Sequence, residues 1–163
     1  MLQIDLGCGT NKREGFLGVD MWPANEPDIL SDIRTRIVEL ESGCADYVLC
    51  SHVLEHLGVE EWRQVLQEIG RLLMPTGKFE LRMPHPSHDD SMIHGHIHVM
   101  TPHFWRSVRD QGWTAKDGLV IERIEEVPNP ACLEFCRNSV DFELWAPFLR
   151  NAYRETVVKG VKQ

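Results

Sequence analysis

The sequence predicts an α/β fold built on one mostly parallel sheet. Short β-branched and aromatic runs recur at 2–6, 16–20, 29–32, 46–50, 78–83, 119–127 and 155–161. Helical periodicity separates some of them, most clearly at Trp62, Val65, Leu66, Ile69, Leu72 and Leu73. The links between runs are short, as in units where strands alternate with helices.

Leu2–Leu6 forms the first expected strand and Gly7-Cys8-Gly9 ends it. Phe16–Asp20 follows, opened by Gly15 and closed by Trp22-Pro23, and Ile29–Asp32 is a third candidate. Asp46–Cys50 is the fourth. The helix after it carries Glu60, Glu61, Arg63, Gln67, Glu68 and Arg71 on its polar face, and Pro75-Thr76-Gly77 stops it. Lys78–Met83 is the fifth strand, cut off by Pro84 and Pro86. Thr101 caps a second helix with Pro102 at its first position, and Gly112 ends it after Gln111. Leu119–Val127 and Glu155–Val161 complete the set. One link is unusual, because only Thr10–Gly15 joins the first two strands. A parallel crossover normally takes a dozen residues or more. The crossover helix is therefore reduced to a loop or a single turn, or the second strand reaches its place by another route.

The length of 163 residues suits a single domain with one core. A net charge of −8 argues against nucleic acid as a partner, since such domains usually present a basic face. No apolar run approaches the roughly 20 residues that span a bilayer, so no membrane partner is expected. No secretory leader pattern opens the chain, and Cys8, Cys44, Cys50, Cys132 and Cys136 form no CxxC pair. Free thiols in a reducing, cytoplasmic setting are expected.

A Gly-x-Gly turn after one strand, with an acid ending the next, is a layout for binding a nucleoside. The glycines allow a tight turn and close approach of the backbone, and Asp20 can accept hydrogen bonds from ribose hydroxyls. A dinucleotide wants a helix N-terminus under its pyrophosphate and a small residue where Lys12 stands, with the acid about 20 residues on. Asp20 follows Gly9 far sooner. Asp5, at the mouth of the loop, would repel a pyrophosphate and attract the ammonium of a methionine tail. These features favour S-adenosylmethionine (SAM), which has that cationic tail and no phosphate.

Ile4-Asp5-Leu6-Gly7-Cys8-Gly9-Thr10-Asn11-Lys12 with its short link to Gly18-Val19-Asp20 resembles the class I SAM-dependent methyltransferases, in particular the small type-11-like members. The resemblance continues in Asp28–Ile33, in Cys50-Ser51-His52-Val53-Leu54-Glu55-His56-Leu57 and in Leu72–Lys78, and so covers residues 1 to about 84. It is looser beyond, chiefly His98-Val99-Met100-Thr101-Pro102. It implies a Rossmann-like sheet with an antiparallel last strand and a reduced first helix. It also implies a cofactor half at 1–84, with a substrate loop and the end of the sheet at 85–163. Many members place a helix before the first strand, whereas this chain starts on the strand.

The cofactor-binding candidates are Asp5, Gly7, Cys8, Gly9, Asp20, Met21, Asp32, Ile33, Ser51 and His52. Cys8 is expected to offer only its backbone, and Asp32 stands where the resemblance places an acid against the adenine amino group. Trp22 is a candidate for stacking near the adenine. Glu55 and His56 read as the start of the following helix, where an acid suits the helix dipole. Methyl transfer to a hydroxyl or amine can require a base, and histidine titrates in the right range. His52, His85 and His98 are the catalytic candidates. Six of the eight histidines fall between His85 and His103, and His94, His96 and His98 alternate as neighbours on one face of an extended segment. Such a tract can bind metal, but methyl transfer needs none, and no metal is expected. The proline-rich, aromatic segment 128–147, with Val140–Trp145 alternating like a strand, is read as a cover for the substrate side or a homodimer face. The expected acceptor is a small molecule, a sugar or a natural-product hydroxyl or amine. The alternatives are a dehydrogenase, a SAM-binding accessory subunit without catalysis, and a metal-binding module on the 85–103 tract.

Overall fold

The computed structural model describes residues 1–92, 95–136, 143, 146 and 151–163. Its strands are β1 (Gln3–Leu6), β2 (Leu17–Asp20), β3 (Ile29–Leu30), β4 (Ala45–Ser51), β5 (Leu73–Pro84), β6 (Leu119–Pro128) and β7 (Tyr153–Lys162). Its helices are α1 (Val59–Leu72), α2 (Pro102–Asp110) and α3 (Pro130–Cys136). The strands form one sheet in the order β3-β2-β1-β4-β5-β7-β6. The pairs from β3 across to β5 are parallel, and β7 runs antiparallel to β5 and to β6. The expected mostly parallel sheet with an antiparallel last strand is therefore present.

The short first link is a loop. Residues 7–16 return the chain so that β2 pairs parallel to β1 with no crossover helix. Lys12 occupies space beside the start of β2, with Nζ 2.9 and 3.0 Å from the two oxygens of Asp28. Asp28 Oδ2 also accepts from Gly18 N–H at 2.7 Å. A Cβ on Gly18 would run into the Lys12 stem and Cys8 Sγ, so glycine is what lets this strap lie flat.

One face of the sheet carries the core. Val48 and Cys50 align with Phe79 and Leu81 across β4 and β5, and α1 buries Trp62, Val65, Leu66, Ile69 and Leu72 in the same cluster. The Trp62 ring meets Phe104 and Trp105 edge-on at 6.0 and 6.4 Å, and Trp105 Nε1 donates to Met83 Sδ. Both long helices thus lie on one side. The alternate residues of the strands face the other way and read as a charged ladder. Tyr47 Oη donates to Glu80, Arg82 Nη1 pairs with Glu155, and Lys159 Nζ pairs with Glu125. Charge on every second position is what a solvent-facing sheet side requires. Near β1 that side is covered by the 7–16 loop, where Phe16 packs on Tyr47 at 5.9 Å and Arg13 N–H donates to Asp5 Oδ2.

Two sequence expectations change in detail. Glu55 and His56 do not begin α1; they form a separate 3-10 turn at Leu54–His56, and Glu61 then closes the first turn of α1 by accepting from Gly58 N–H. β5 starts at Leu73, directly after the helix, and reaches its regular register at Lys78 through an irregularity that includes Thr76 at φ 66. Cys132 and Cys136 lie in α3. Cys8, Cys44, Cys50 and Cys132 are free thiols. Within Val140–Trp145 all residues except Glu143 lie outside the described residues, as does His94. No helix among the described residues is long and apolar enough to cross a membrane.

Candidate cofactor site

A cleft of about 510 Å³ opens at the carboxyl ends of β1, β2 and β4. This is where ligands sit in open α/β sheets, at the point where strand order reverses. Gly7 and Gly9 form its floor at φ 69 and 55. The N–H groups of Gly7 and Cys8 both donate to Val19 O, folding the loop over the end of β2. Any side chain on Gly7 would collide with Val53.

Asp20 ends β2 and lines the cleft. Its Oδ2 accepts from Gly9 N–H at 2.9 Å and its Oδ1 from Trp22 N–H at 2.8 Å. Each carboxylate oxygen keeps a second acceptor position, so the residue that shapes the loop can still accept from a ligand hydroxyl. Met21, Trp22 and Ile33 supply apolar walls, and Trp22 is 63% exposed at the lip. Asp32 also lines the cleft, but Arg34 grips its carboxylate through Nε and Nη2 and reaches Glu61 through Nη1.

Asp5 lies beneath the loop, 4% exposed, and is not part of the lining. Burial raises its pKa above the usual carboxylate value, while the Arg13 N–H works in the opposite direction. Cys8 turns its thiol into the interior; burial, then Asp5 and Asp20, push that thiol up to about 11, so it stays protonated and only its backbone serves the loop. Ser51 ends β4 outside the lining.

His52 enters the cleft from the end of β4 in the left-handed conformation, at φ 57. A non-glycine residue held there carries strain that the surroundings must impose. Nε2 lies 3.3 Å from Glu155 Oε1 and Nδ1 lies 3.4 Å from Glu55 Oε1. Glu155 first, then Glu55, raise the His52 pKa to about 9. The other two catalytic candidates lie outside the lining. His85 packs on Tyr153 with Nδ1 2.8 Å from Ser87 Oγ, and burial lowers its pKa. His98 faces a smaller recess with Trp62, Phe104 and Trp113.

Sequence reasoning missed Asn25, Arg34, Val53, His56 and Leu57, which also line the cleft. Val53, His56 and Leu57 belong to the segment after β4 that the resemblance covers. Asn25 and Arg34 carry no motif, and only the folded chain brings them in.

Residues 4–81 match the family model of a methyltransferase domain. The match spans just under half of the 163 residues, and over it the chain is similar to methyltransferase domains. A search of curated proteins found no sequence match. Among solved structures, a SAM-dependent methyltransferase from Archaeoglobus fulgidus is similar over 98% of this chain and 85% of its own, at 17% identity and a TM-score of 0.67. One from Mesorhizobium loti is similar over 99% and 90%, at 17% identity and 0.62. A 16S rRNA methyltransferase from Catenulisporales acidiphilia, solved with SAM, is similar over 99% and 85%, at 16% identity and 0.62. SAM is the cofactor of this domain class, and the cleft fits it: a glycine floor, an acid with spare acceptor positions, and apolar walls.

Proposed function

We propose that the chain is a methyltransferase that binds SAM in this cleft and methylates a hydroxyl or amine of a small molecule, sugar or natural product. The observation that carries the reading is the placement of His52: a strained residue at the end of β4, in the same cleft as Gly7, Gly9 and Asp20. SAM supplies a methyl group already activated on a sulfonium, which a nucleophile displaces in line.

The chain's own residues then have separable tasks. The Gly7–Gly9 backbone lies against the cofactor, and Asp20 accepts from the ribose hydroxyls. Met21, Ile33 and Trp22 enclose the adenine. Asp32, held by Arg34, presents a fixed carboxylate edge near it. Asp5 keeps the loop closed through Arg13 N–H and adds negative potential beneath the methionine end, with Ser51 at the neighbouring strand end. Positioning supplies most of the acceleration in such a transfer. His52, cationic below about pH 9, is held at the cleft wall between Glu155 and Glu55 and places positive charge beside an oxygen acceptor. It becomes a base for the acceptor proton only as pH approaches that value. His85 and His98 stand outside the lining, so His52 is the residue on which the catalytic reading rests.

The test is transfer of labelled methyl from SAM into pools of small hydroxylated and amino compounds. Transfer is expected in the wild type. His52→Ala should lower it by about 100-fold, with affinity for the product S-adenosylhomocysteine (SAH) retained. SAH binding without transfer to any acceptor would favour an accessory subunit and contradict catalysis.

A further inference from the structure

Glu55 is 2% exposed, and neither of its side-chain oxygens has a hydrogen-bond partner among the described residues. Its nearest cationic group, His52 Nδ1, sits 3.4 Å from Oε1 in ion-pair range, which leaves Oε2 bare. A buried carboxylate in that state is costly unless something else meets it. Two imidazoles stand beside it. One donor atom each from Glu55, His56 and His96 lie within 4.8 Å of one another. The His56 and His96 rings meet edge-on at 4.5 Å. His96 Nδ1 is itself buried without a hydrogen-bond partner.

We propose that Glu55, His56 and His96 form a site for a divalent transition metal of the zinc class. Two imidazoles and one carboxylate make a donor set that suits Zn²⁺ and its neighbours better than Mg²⁺, which prefers oxygen ligands. Ligand atoms about 2.1 Å from a tetrahedral metal lie about 3.4 Å apart, a contraction that rotation of three side chains supplies. The surroundings prepare the ligands. His56 Nδ1 lies 3.1 Å from Gly95 O, and a carbonyl only accepts, so Nδ1 carries the proton and Nε2 keeps its lone pair for a metal. Glu55 O accepts from Ile97 N–H at 2.8 Å and from His98 N–H at 3.2 Å, which clamps the segment bearing His96 against the turn bearing Glu55 and His56.

Three protein ligands leave a tetrahedral metal one open position. His56 lines the SAM cleft, so that position has access to water or to an oxygen or nitrogen donor bound there. The site differs from one formed by the alternating histidines of the 85–103 tract, because two of its three ligands come from the turn after β4. It stands whether or not the chain transfers methyl groups.

The experiment is calorimetric titration of the untagged full-length chain, stripped with a chelator, with Zn²⁺ and separately with Mg²⁺. One Zn²⁺ per chain and no Mg²⁺ binding are expected. Glu55→Gln and His96→Ala should each weaken Zn²⁺ about tenfold or more, while His88→Ala leaves it unchanged. Co²⁺ in the wild type should show the intense visible bands of a tetrahedral ion, absent in His96→Ala. Thermal unfolding in chelator reports whether each variant is folded; His96 is only partly buried, so His96→Ala decides if Glu55→Gln unfolds. SAH binding, measured on the same samples, keeps failure of the metal site distinct from failure of the cofactor reading. No stoichiometric Zn²⁺ in the wild type, or equal affinity in wild type and His96→Ala, overturns the proposal.

Discussion

His52, Gly7 and Asp20 define the site at the scale of single residues. The His52 pKa, raised to about 9 from 6.5, makes its ion pairs a pH-dependent contribution to stability. A group whose folded pKa is raised stabilises fully below its unfolded value and loses that effect as pH rises through the folded one. In chelator-treated protein, the urea midpoint of wild type minus His52→Gln should be largest near about pH 6 and vanish above about pH 9 to 10. A difference independent of pH would show that His52 acts through packing alone. Gly7→Ala forces a side chain into Val53 at a positive φ. It should cost about 1 kcal/mol or more of stability and remove SAH binding. Asp20→Asn replaces one of the two acceptors that hold Gly9 and Trp22 N–H with a donor and should weaken SAH by about 1.5–3 kcal/mol, measured by calorimetry beside thermal unfolding. Gly7, Gly9 and Asp20 were legible in the sequence because backbone conformation and strand-end chemistry are local. The pairing of Asp32 with Arg34, and the place of Asn25, depend on contacts that no local pattern encodes.

At the scale of elements, α1 and α2 were both legible, each from a different local signal. The i, i+3, i+4 spacing of Trp62 through Leu72 predicted α1 and its buried face, and that face is the one the core cluster contains. Ile69, fully buried there, should cost about 2–5 kcal/mol on Ile69→Ala, read as a lower urea midpoint; a loss below 1 kcal/mol would mean that the helix is not packed as described. Thr101 accepts from Phe104 N–H at 3.0 Å, the cap its sequence position predicted. The 3-10 turn at Leu54–His56 was less legible. A first-turn acid before a helix looks like a dipole partner, and only the packing shows Glu55 buried instead, with its carbonyl tying down residues 97 and 98.

The whole molecule has both long helices on one side and a polar ladder on the other. The mostly parallel sheet was readable from element spacing, its antiparallel last strand was implied by the resemblance, and the strand order emerges only in the folded chain. The polar side was not, although its cause lies in the sequence: a loop replaces the helix after β1, and charges occupy alternate positions of β5 at Lys78, Glu80 and Arg82. What the site does depends on what enters the cleft between β1, β2 and β4. Calorimetry of the full chain with SAH tests this most directly. The account predicts one SAH per chain with a Kd in the micromolar range, about −8 kcal/mol, abolished by Gly7→Ala. A folded wild-type chain that gives no heat at millimolar SAH would contradict it.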